Sequence, residues 1–538
     1  MRLNSEEKNF NNYMWKTFGV SLHMFSVAVF LVGIVYLVWS IVIIIQSTNA
    51  TTVVQTILNF LTLLVEVLGI LYTVMLFKQM GTTCKYPPLQ SRLSIPNLEE
   101  HPPVSIIIPI HEPIPEILTE TLESIIKSNY PREKIQIMLA DDTISSYHSF
   151  KEIENLVEKY EIEHVYDPSN ILFKAGMLNI ALKQVKSDFV VFLDYDHIVT
   201  PNFLIKSIDI LLTNKEAAFV QSKVSFRNIQ SKLQVWESVM YSQFFEVFAR
   251  AKNRRSTVIF NGSTACFRKE ILDKTGGIPT ATFTEDVDLT IQILTEGYKS
   301  VFIDDYGSFG LVPATFSLLL SQILRWAKGS MHVFKKRWLK ILRAKIPLID
   351  KIDLYFNISL FFIASSMYIA TFLYIIMYFA NSQVIRLPMQ AFPPLIIMPI
   401  ALAVSYQISA FIAVVYARKS NLKSMKIIDL LYFFVIALAL NPFTVYAVIV
   451  TLFRKRAPNR EQDQWNEKIA YIPLSIIVTA FGVLSVVLAY FDFLASGTLW
   501  LVLCILGLSM AATFPVCLYF HFKTYYKKPY LVNDIANP

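Results

Sequence analysis

From Thr17 to Ile45 the chain runs 29 residues without an Asp, Glu, Lys or Arg, and Thr52 to Phe77 follows with Glu66 as its one charged side chain. A hydrocarbon layer about 30 Å thick is crossed by about 20 helical residues, so each stretch is long enough to span it. The first exceeds the roughly 7–15 apolar residues of a signal-peptide core, and no small-residue cleavage site follows, so it reads as a retained span. These two runs, with similar ones in the last 190 residues, enclose a middle region of ordinary charge density, so the expected architecture is a globular domain spliced between membrane segments. With 54% hydrophobic residues and a mean hydropathy of +0.45, a purely soluble multidomain chain is excluded.

Charge placement sets the orientation. The loop Gln46 to Thr51 has no Lys or Arg, whereas Lys78 and Lys85 follow the second run, so both ends of this hairpin, and the domain after it, are expected in the cytoplasm. Asn49-Ala50-Thr51 fits a glycosylation sequon on the outer side. Glu66 has two readings, as part of a polar path or as a residue held by a polar group of the neighbouring helix. The net charge of +8 reflects bases beside apolar runs and gives no reason to expect nucleic acid. Cys84, Cys266, Cys504 and Cys517 have neither paired nor zinc-binding spacing.

After the domain, 353–379 and 392–416 are expected spans, with Arg418, Lys419, Lys423 and Lys426 marking a cytoplasmic end. Residues 427–453 carry bases on both flanks and Asn441-Pro442 in mid-run, which points to a broken re-entrant or interfacial helix pair. Spans at 470–491 and 498–520 complete six crossings and place the basic tail Lys523 to Lys528 inside; seven or eight crossings are the alternative.

In the middle region, Val104 to Ile110, Ile135 to Ala140 and Phe189 to Leu193 are short apolar runs separated by stretches of helical spacing such as Ile117 to Ile126. That alternation argues for a parallel α/β sheet, which binds ligands beyond the carboxyl ends of its strands. Glu112, Asp142 and Asp194 each lie just past such an end and are expected to share one crevice. Asp194 and Asp196, two apart, can point the same way and hold one hard cation, as a nucleoside-diphosphate sugar requires. Alone, such a pair is more commonly a turn after a buried strand. Thr284-Glu285-Asp286 alone is a common helix start with acids in its first turn. Gln322, Arg325 and Trp326 fall at i, i+3 and i+4 on one helical face.

Taken in order, Asp141-Asp142, Asp194-Tyr195-Asp196, Thr284-Glu285-Asp286 and Gln322-Ile323-Leu324-Arg325-Trp326 resemble the D, DxD, TED, QxxRW series of processive, inverting family-2 glycosyltransferases, the group of cellulose, chitin and hyaluronan synthases. Supporting stretches are Phe173 to Asn179, similar to the family's KAGNLN, Val220-Gln221, and Phe267 to Glu270 with Gly276-Gly277. The resemblance covers roughly residues 100–340. It implies a nucleotide-diphospho-sugar transferase (GT-A-like) domain inserted in an α-helical integral membrane protein. The expected layout is a membrane hairpin in 1–99, a cytoplasmic transferase domain in 100–315, interface helices with the QxxRW motif in 316–350, and a membrane region in 351–538.

The resemblance also distributes roles. Asp286 would be the general base, with Glu285 orienting the acceptor or tuning Asp286 through like charge. Asp194 and Asp196 would engage a diphosphate with Mg2+ or Mn2+. Asp142, Asp141, Glu112, Lys174, Gln322 and Arg325 would bind the nucleotide sugar, and Trp326, Thr284 and Cys266 the acceptor. The implied partners are a UDP-sugar, either UDP-glucose or UDP-N-acetylglucosamine, a growing polysaccharide and membrane lipids, in a multi-pass plasma-membrane protein. A non-processive transferase adding one sugar to a lipid is the alternative within the class, and a transporter with a degenerate domain the alternative outside it. The family's FxxGT-like segment appears as Phe260-Asn261-Gly262-Ser263-Thr264, and its FxVTxKG gating loop is not recognisable between Arg454 and Lys468. The tail after Phe520 is too short for a cyclic-dinucleotide-binding barrel.

Overall fold

A mixed eight-stranded sheet organises the middle of the chain. The computed structural model describes residues 5–47, 53–86, 101–170, 172–359, 394–419, 428–453, 467–495 and 510–525, with the isolated positions 361, 362, 365, 426, 507 and 508. The strands are β1 (Val104–Ile110), β2 (Ile135–Asp141), β3 (Glu163–Tyr166), β4 (Phe189–Phe192), β5 (Ile198–Val199), β6 (Ala217–Phe226), β7 (Ala265–Arg268) and β8 (Lys299–Gly310), in spatial order 3-2-1-4-7-6-8-5. The first four run parallel, as the sequence leads one to expect; β7 then enters antiparallel between β4 and β6.

Strand alternation divides the apolar core between the two sheet faces. Ile106, Ile108 and Val191 face one side with α3 (Pro115–Ile126) and α6 (Phe203–Thr213). Ile107, Val190 and Phe192 face the other, with α5 (Phe173–Leu182), α9 (Lys269–Lys274) and α10 (Glu285–Thr295). The helix α4 (Phe150–Tyr160) lies between β2 and β3 in the chain.

Between β6 and β7 the chain forms α7 (Lys232–Gln243), a π-helical turn at Phe244–Ala249 and α8 (Arg250–Asn253). A reciprocal Ser231/Gln234 capping box starts α7. The next long helix, α11 (Phe316–Arg343), starts at Thr315, whose hydroxyl accepts from Leu318 N at 3.3 Å. Its second half is tied to α10: buried Asp288 pairs with Arg337 and, at 3.2 Å, with Lys336, and Lys340 reaches Glu296 at 2.9 Å. After α12 (Leu348–Ile358) come α13 (Pro394–Lys419), α14 (Asp429–Phe453), α15 (Glu467–Ala495) and α16 (Thr513–Tyr525). Phe316, Leu319 and Ile323 of α11 pack with Phe433, Ile436 and Phe443 of α14, and Lys335 donates to the Thr451 and Leu452 carbonyls at 3.1 Å.

At the N-terminus, α1 (Ser5–Ser47) and α2 (Val53–Lys85) pair along their length. Tyr36 Oη donates to Glu66 Oε2 at 2.5 Å, so Glu66 is held by the neighbouring helix. One expectation is corrected. Residues 429–453 form one continuous helix with Pro442 inside it, not a pair broken at Asn441-Pro442. Thr444 Oγ1 donates back to the Asn441 carbonyl at 2.7 Å, a local bond compatible with proline's missing N–H. Among the described residues, Tyr13–Gln46, Thr56–Lys85 and Asp429–Phe453 are long and apolar enough to cross a membrane by length and composition. The first extends past its apolar run at both ends and the second past the end of its run. The Asn49 sequon, most of the 353–379 stretch, the start of 498–520, the 454–466 loop, Cys504 and Lys527-Lys528 lie outside the described residues.

Candidate functional site

Because β2, β1 and β4 are parallel neighbours, their carboxyl ends share one edge, and the acids just past them gather there. Glu112 follows β1 with φ +49; its N–H donates to Thr143 Oγ1 at 2.9 Å and its side chain is exposed. Past β2 the two aspartates part. Asp141 is fully buried, its oxygens taken by Thr143 N and His164 Nε2, both at 2.8 Å. This geometry gives Asp141 an internal bracing place in lieu of the ligand-facing one expected from sequence. Asp142 takes His111 Nδ1 at 2.8 Å and Asn170 Nδ2 at 3.1 Å, and the His111 side chain is 42% exposed. His111 and Asn170 carry no motif that would have singled them out.

Past β4, Asp194 and Asp196 are half-buried side by side. Lys174, at the start of α5, reaches Asp194 Oδ1 at 2.5 Å and the Gly262 carbonyl at 2.9 Å. Burial pushes Asp194 upward, but the Lys174 ammonium and His197 outweigh it and hold the carboxyl below its ordinary range. Asp196 moves the other way, raised by burial and by Asp194. Among the described residues no third acid, His or Cys joins the pair as a metal-ligand group. Two carboxylates without further protein ligands suit Mg2+ or Mn2+, which take most remaining positions from substrate phosphates and water. The residues therefore fit such an ion.

Asp286, in the first turn of α10, stands over bare backbone. Gly262 has φ +86, and a β-carbon there would come 3.2 Å from Asp286 Oδ2. Gln221 of β6 braces that loop from both sides: its Oε1 accepts from Asn261 N at 2.9 Å, and its Nε2 donates to the Ser263 carbonyl at 3.1 Å. Ser263 Oγ accepts from Asp194 N at 2.9 Å. The Asn261–Thr264 loop thus links the Asp194 pair to Asp286. Burial and then Glu285 raise Asp286 to about 7, with Lys174 and Arg325 pulling against the shift. Lys174 is opposed by its own burial, but Asp194, Glu285 and Asp286 keep it above the ordinary lysine range.

The first half of α11 closes the site. Arg325 is exposed and acts electrostatically on both Asp194 and Asp286. Gln322 and Trp326 lie against α7, one helical turn against another. Gln322 hydrogen-bonds Glu237, and the Trp326 and Tyr241 ring centroids are 6.0 Å apart. Glu237 is 1% exposed, and burial raises it to about 8, with Asp196 adding to the shift. Tyr241 lies within electrostatic reach of Glu237, Asp194, Arg325 and Asp286. Sequence reasoning passes over both residues, although one carboxylate in the otherwise uncharged stretch 233–245 is a signal for Glu237.

Two expected acceptor residues are placed otherwise. Cys266 is fully buried in β7 between Val191 and Val220, so it is core of the sheet and cannot meet an acceptor. Thr284 is buried against Gly329 of α11, where an added β-carbon would meet its Cγ2 at 2.4 Å. It sets the α10–α11 approach.

Residues 102–329 match the family model "Glycosyltransferase like family 2". Curated relatives include the probable glucomannan 4-beta-mannosyltransferase 7 of Oryza sativa subsp. japonica, 26% identical over 50% of this chain and 47% of that protein. They also include the UDP-forming cellulose synthase 1 catalytic subunit of Komagataeibacter xylinus, 27% identical over 57% of this chain and 40% of that protein. The chain thus matches about half or less of each relative's length. Among solved structures, a mannosyltransferase from Pyrobaculum calidifontis in complex with GDP-mannose and Mn2+ aligns with 73% of this chain and all of that one, at 17% identity and a TM-score of 0.45, too low to argue from. The region that carries Asp142 and Asp194 past its strand ends and Asp286 on α10 therefore matches a glycosyltransferase family 2 domain, and its relatives are named as cellulose synthases and glucomannan mannosyltransferases.

Proposed function

We propose that the chain is a membrane-embedded, inverting glycosyltransferase that extends a β-linked polysaccharide from a UDP-sugar. The observation that carries the reading is the link between two carboxylate groups of opposite character. Lys174 holds Asp194 and the Gly262 carbonyl, while Asp286 stands on Gly262 with its carboxyl raised. An inverting transfer needs both: a cationic, phosphate-neutralising side for the leaving group and a base on the acceptor side.

In this reading the acceptor hydroxyl attacks the anomeric carbon, its proton passes to Asp286, and the bond to the diphosphate oxygen breaks. Asp194 and Asp196 would hold Mg2+ or Mn2+, which supplies charge neutralisation to the departing diphosphate. Arg325, exposed and near Asp194, assists on the same side. Trp326 offers a sugar ring a flat face, and Tyr241 backs it. Asp142, with His111, faces the nucleoside, and Glu112 stands at the rim. The relatives' names support both a UDP-sugar and a mannosyl donor. The charge pattern favours UDP-sugar entry from the cytoplasm and extrusion of the product through the helices around α11.

The test is purified full-length protein in lipid with Mg2+ or Mn2+, a panel of UDP-glucose, UDP-N-acetylglucosamine and GDP-mannose, and nucleoside-diphosphate release and product length as readouts. Release should climb as pH rises through about 7, as Asp286 ionises, and Asp286→Asn should lose about 100-fold or more. Undiminished turnover in that variant overturns the base assignment. A product one sugar long overturns processivity.

A further inference from the structure

Three helices meet where the apolar run of α2 ends, and they bring together more cations than carboxylates. Gln79 of α2 and Lys252 of α8 share Asp353 of α12: Gln79 Nε2 donates to Oδ1 at 2.9 Å and Lys252 to Oδ2. Arg255 pairs with Asp350, one turn earlier on α12. Lys78, half-buried on α2, lies within electrostatic reach of all four groups. Among the described residues its ammonium makes no ion pair, because both aspartates are already engaged. Lys85 and Arg254 stand 5.2 and 5.0 Å over the Tyr86 ring beside it. Lys78, Lys85, Lys252, Arg254 and Arg255 are thus five cations against Asp350 and Asp353.

The two carboxylates neutralise Lys252 and Arg255, which are deep in the junction or anchored to it. Lys78 is half-buried and makes no ion pair among the described residues, and the Arg255 side chain is 42% exposed. A half-buried cationic surplus of this kind can be met by an oxyanion that accepts charge-assisted hydrogen bonds. From this geometry we propose that Lys78, with Arg255 and Arg254 at its rim, forms a phosphate-binding cradle between α2, α8 and α12. It is separate from the site at the strand ends. Two sources offer that chemistry, a free phosphate and the headgroup of an anionic phospholipid. The place of Lys78 directly after Phe77 is headgroup depth if α2 enters the bilayer, a clause that rests on the membrane reading above.

The test uses the full chain in detergent, so it does not depend on topology. Retention of phosphatidylglycerol against phosphatidylcholine is followed by native mass spectrometry, and inorganic phosphate is titrated while the thermal unfolding midpoint is read. Lys78→Gln is the informative variant because it leaves the Lys252–Asp353 and Arg255–Asp350 pairs in place. Its midpoint without added anion should match that of the unaltered protein. Anion affinity should fall about tenfold in Lys78→Gln, the worth of one charge-assisted hydrogen bond. Retention of phosphatidylglycerol that phosphate does not displace identifies the lipid source, and saturable stabilisation by phosphate alone identifies the free anion. Equal affinity in Lys78→Gln and the unaltered protein, or no preference for either anion over phosphatidylcholine, overturns the cradle.

Discussion

At the scale of single residues, burial assigns different work to chemically identical groups. Asp141 and Asp142 are adjacent, yet one is sealed by Thr143 and His164 while the other looks outward through His111. Glu237 is the least expected of them, a carboxyl kept uncharged by its surroundings and joined to Gln322. Its folded pKa, about 8, lies above the ordinary 4.5. The stability it contributes is therefore fully present below about pH 4.5 and is lost as pH rises through about 8. Glu237→Gln, neutral at every pH, should keep the fold and flatten that loss. Unfolding midpoints from pH 5 to 9 would show it, and an unchanged slope would count against a protonated Glu237. The motif acids were legible because strand ends are legible. Cys266 was misread because only the fold shows that its four-residue segment is an interior strand, between β4 and β6, of a sheet covered on both faces. Glu237 and Tyr241 were missed because they meet Gln322 and Trp326, each 85 residues further along the chain, and no local pattern encodes that meeting.

At the scale of elements, α10 and α11 behave as a pair. Asp288 is wholly buried, and Arg337, Lys336 and Gln292 form the polar seam that makes its burial tolerable. Removing Arg337 leaves the carboxylate with Lys336 and the Thr282 hydroxyl. Arg337→Ala should destabilise the protein by about 3 kcal/mol, since a buried charge is left underpaired. Lys336→Ala, at an exposed partner, should cost less than about 1 kcal/mol. Denaturant unfolding in detergent would separate the two, and similar losses would argue that solvent already reaches Asp288. The helix period of α3, the start of α10 and the strands β1, β2 and β4 could be read from sequence. The antiparallel entry of β7 could not, since nothing in Ala265–Arg268 distinguishes its direction. The continuity of α14 through Pro442 was likewise hidden, because a proline's effect depends on whether the surrounding helices support the freed carbonyl.

At the scale of the whole molecule, the paired helices α1 and α2 and the packed group of α11, α13 and α14 flank the sheet domain. The sidedness drawn from the Lys and Arg distribution predicts that the α1–α2 loop lies outside and the α11–α12 turn inside. In a background with the four cysteines replaced by serine, Asn49→Cys should react with an impermeant thiol reagent added to intact cells. Leu342→Cys should react only after permeabilisation, and the reverse pattern would reject the orientation.

Lys335 donates to the Thr451 and Leu452 carbonyls near the end of α14, while Trp326, nine residues earlier on the same helix, lies against Tyr241 of α7. Nine residues of α-helix are about 14 Å, and α11 is held to α14 on both sides of that interval, by Lys335 at one end and by the packing of Leu319 and Ile323 beyond Trp326 at the other. If α11 followed a tilt of α14 of about 10°, the indole would move about 2 Å relative to Lys335. In the membrane-embedded reading proposed above, the thickness of the surrounding bilayer, by setting how α14 leans, would bear on where the indole stands.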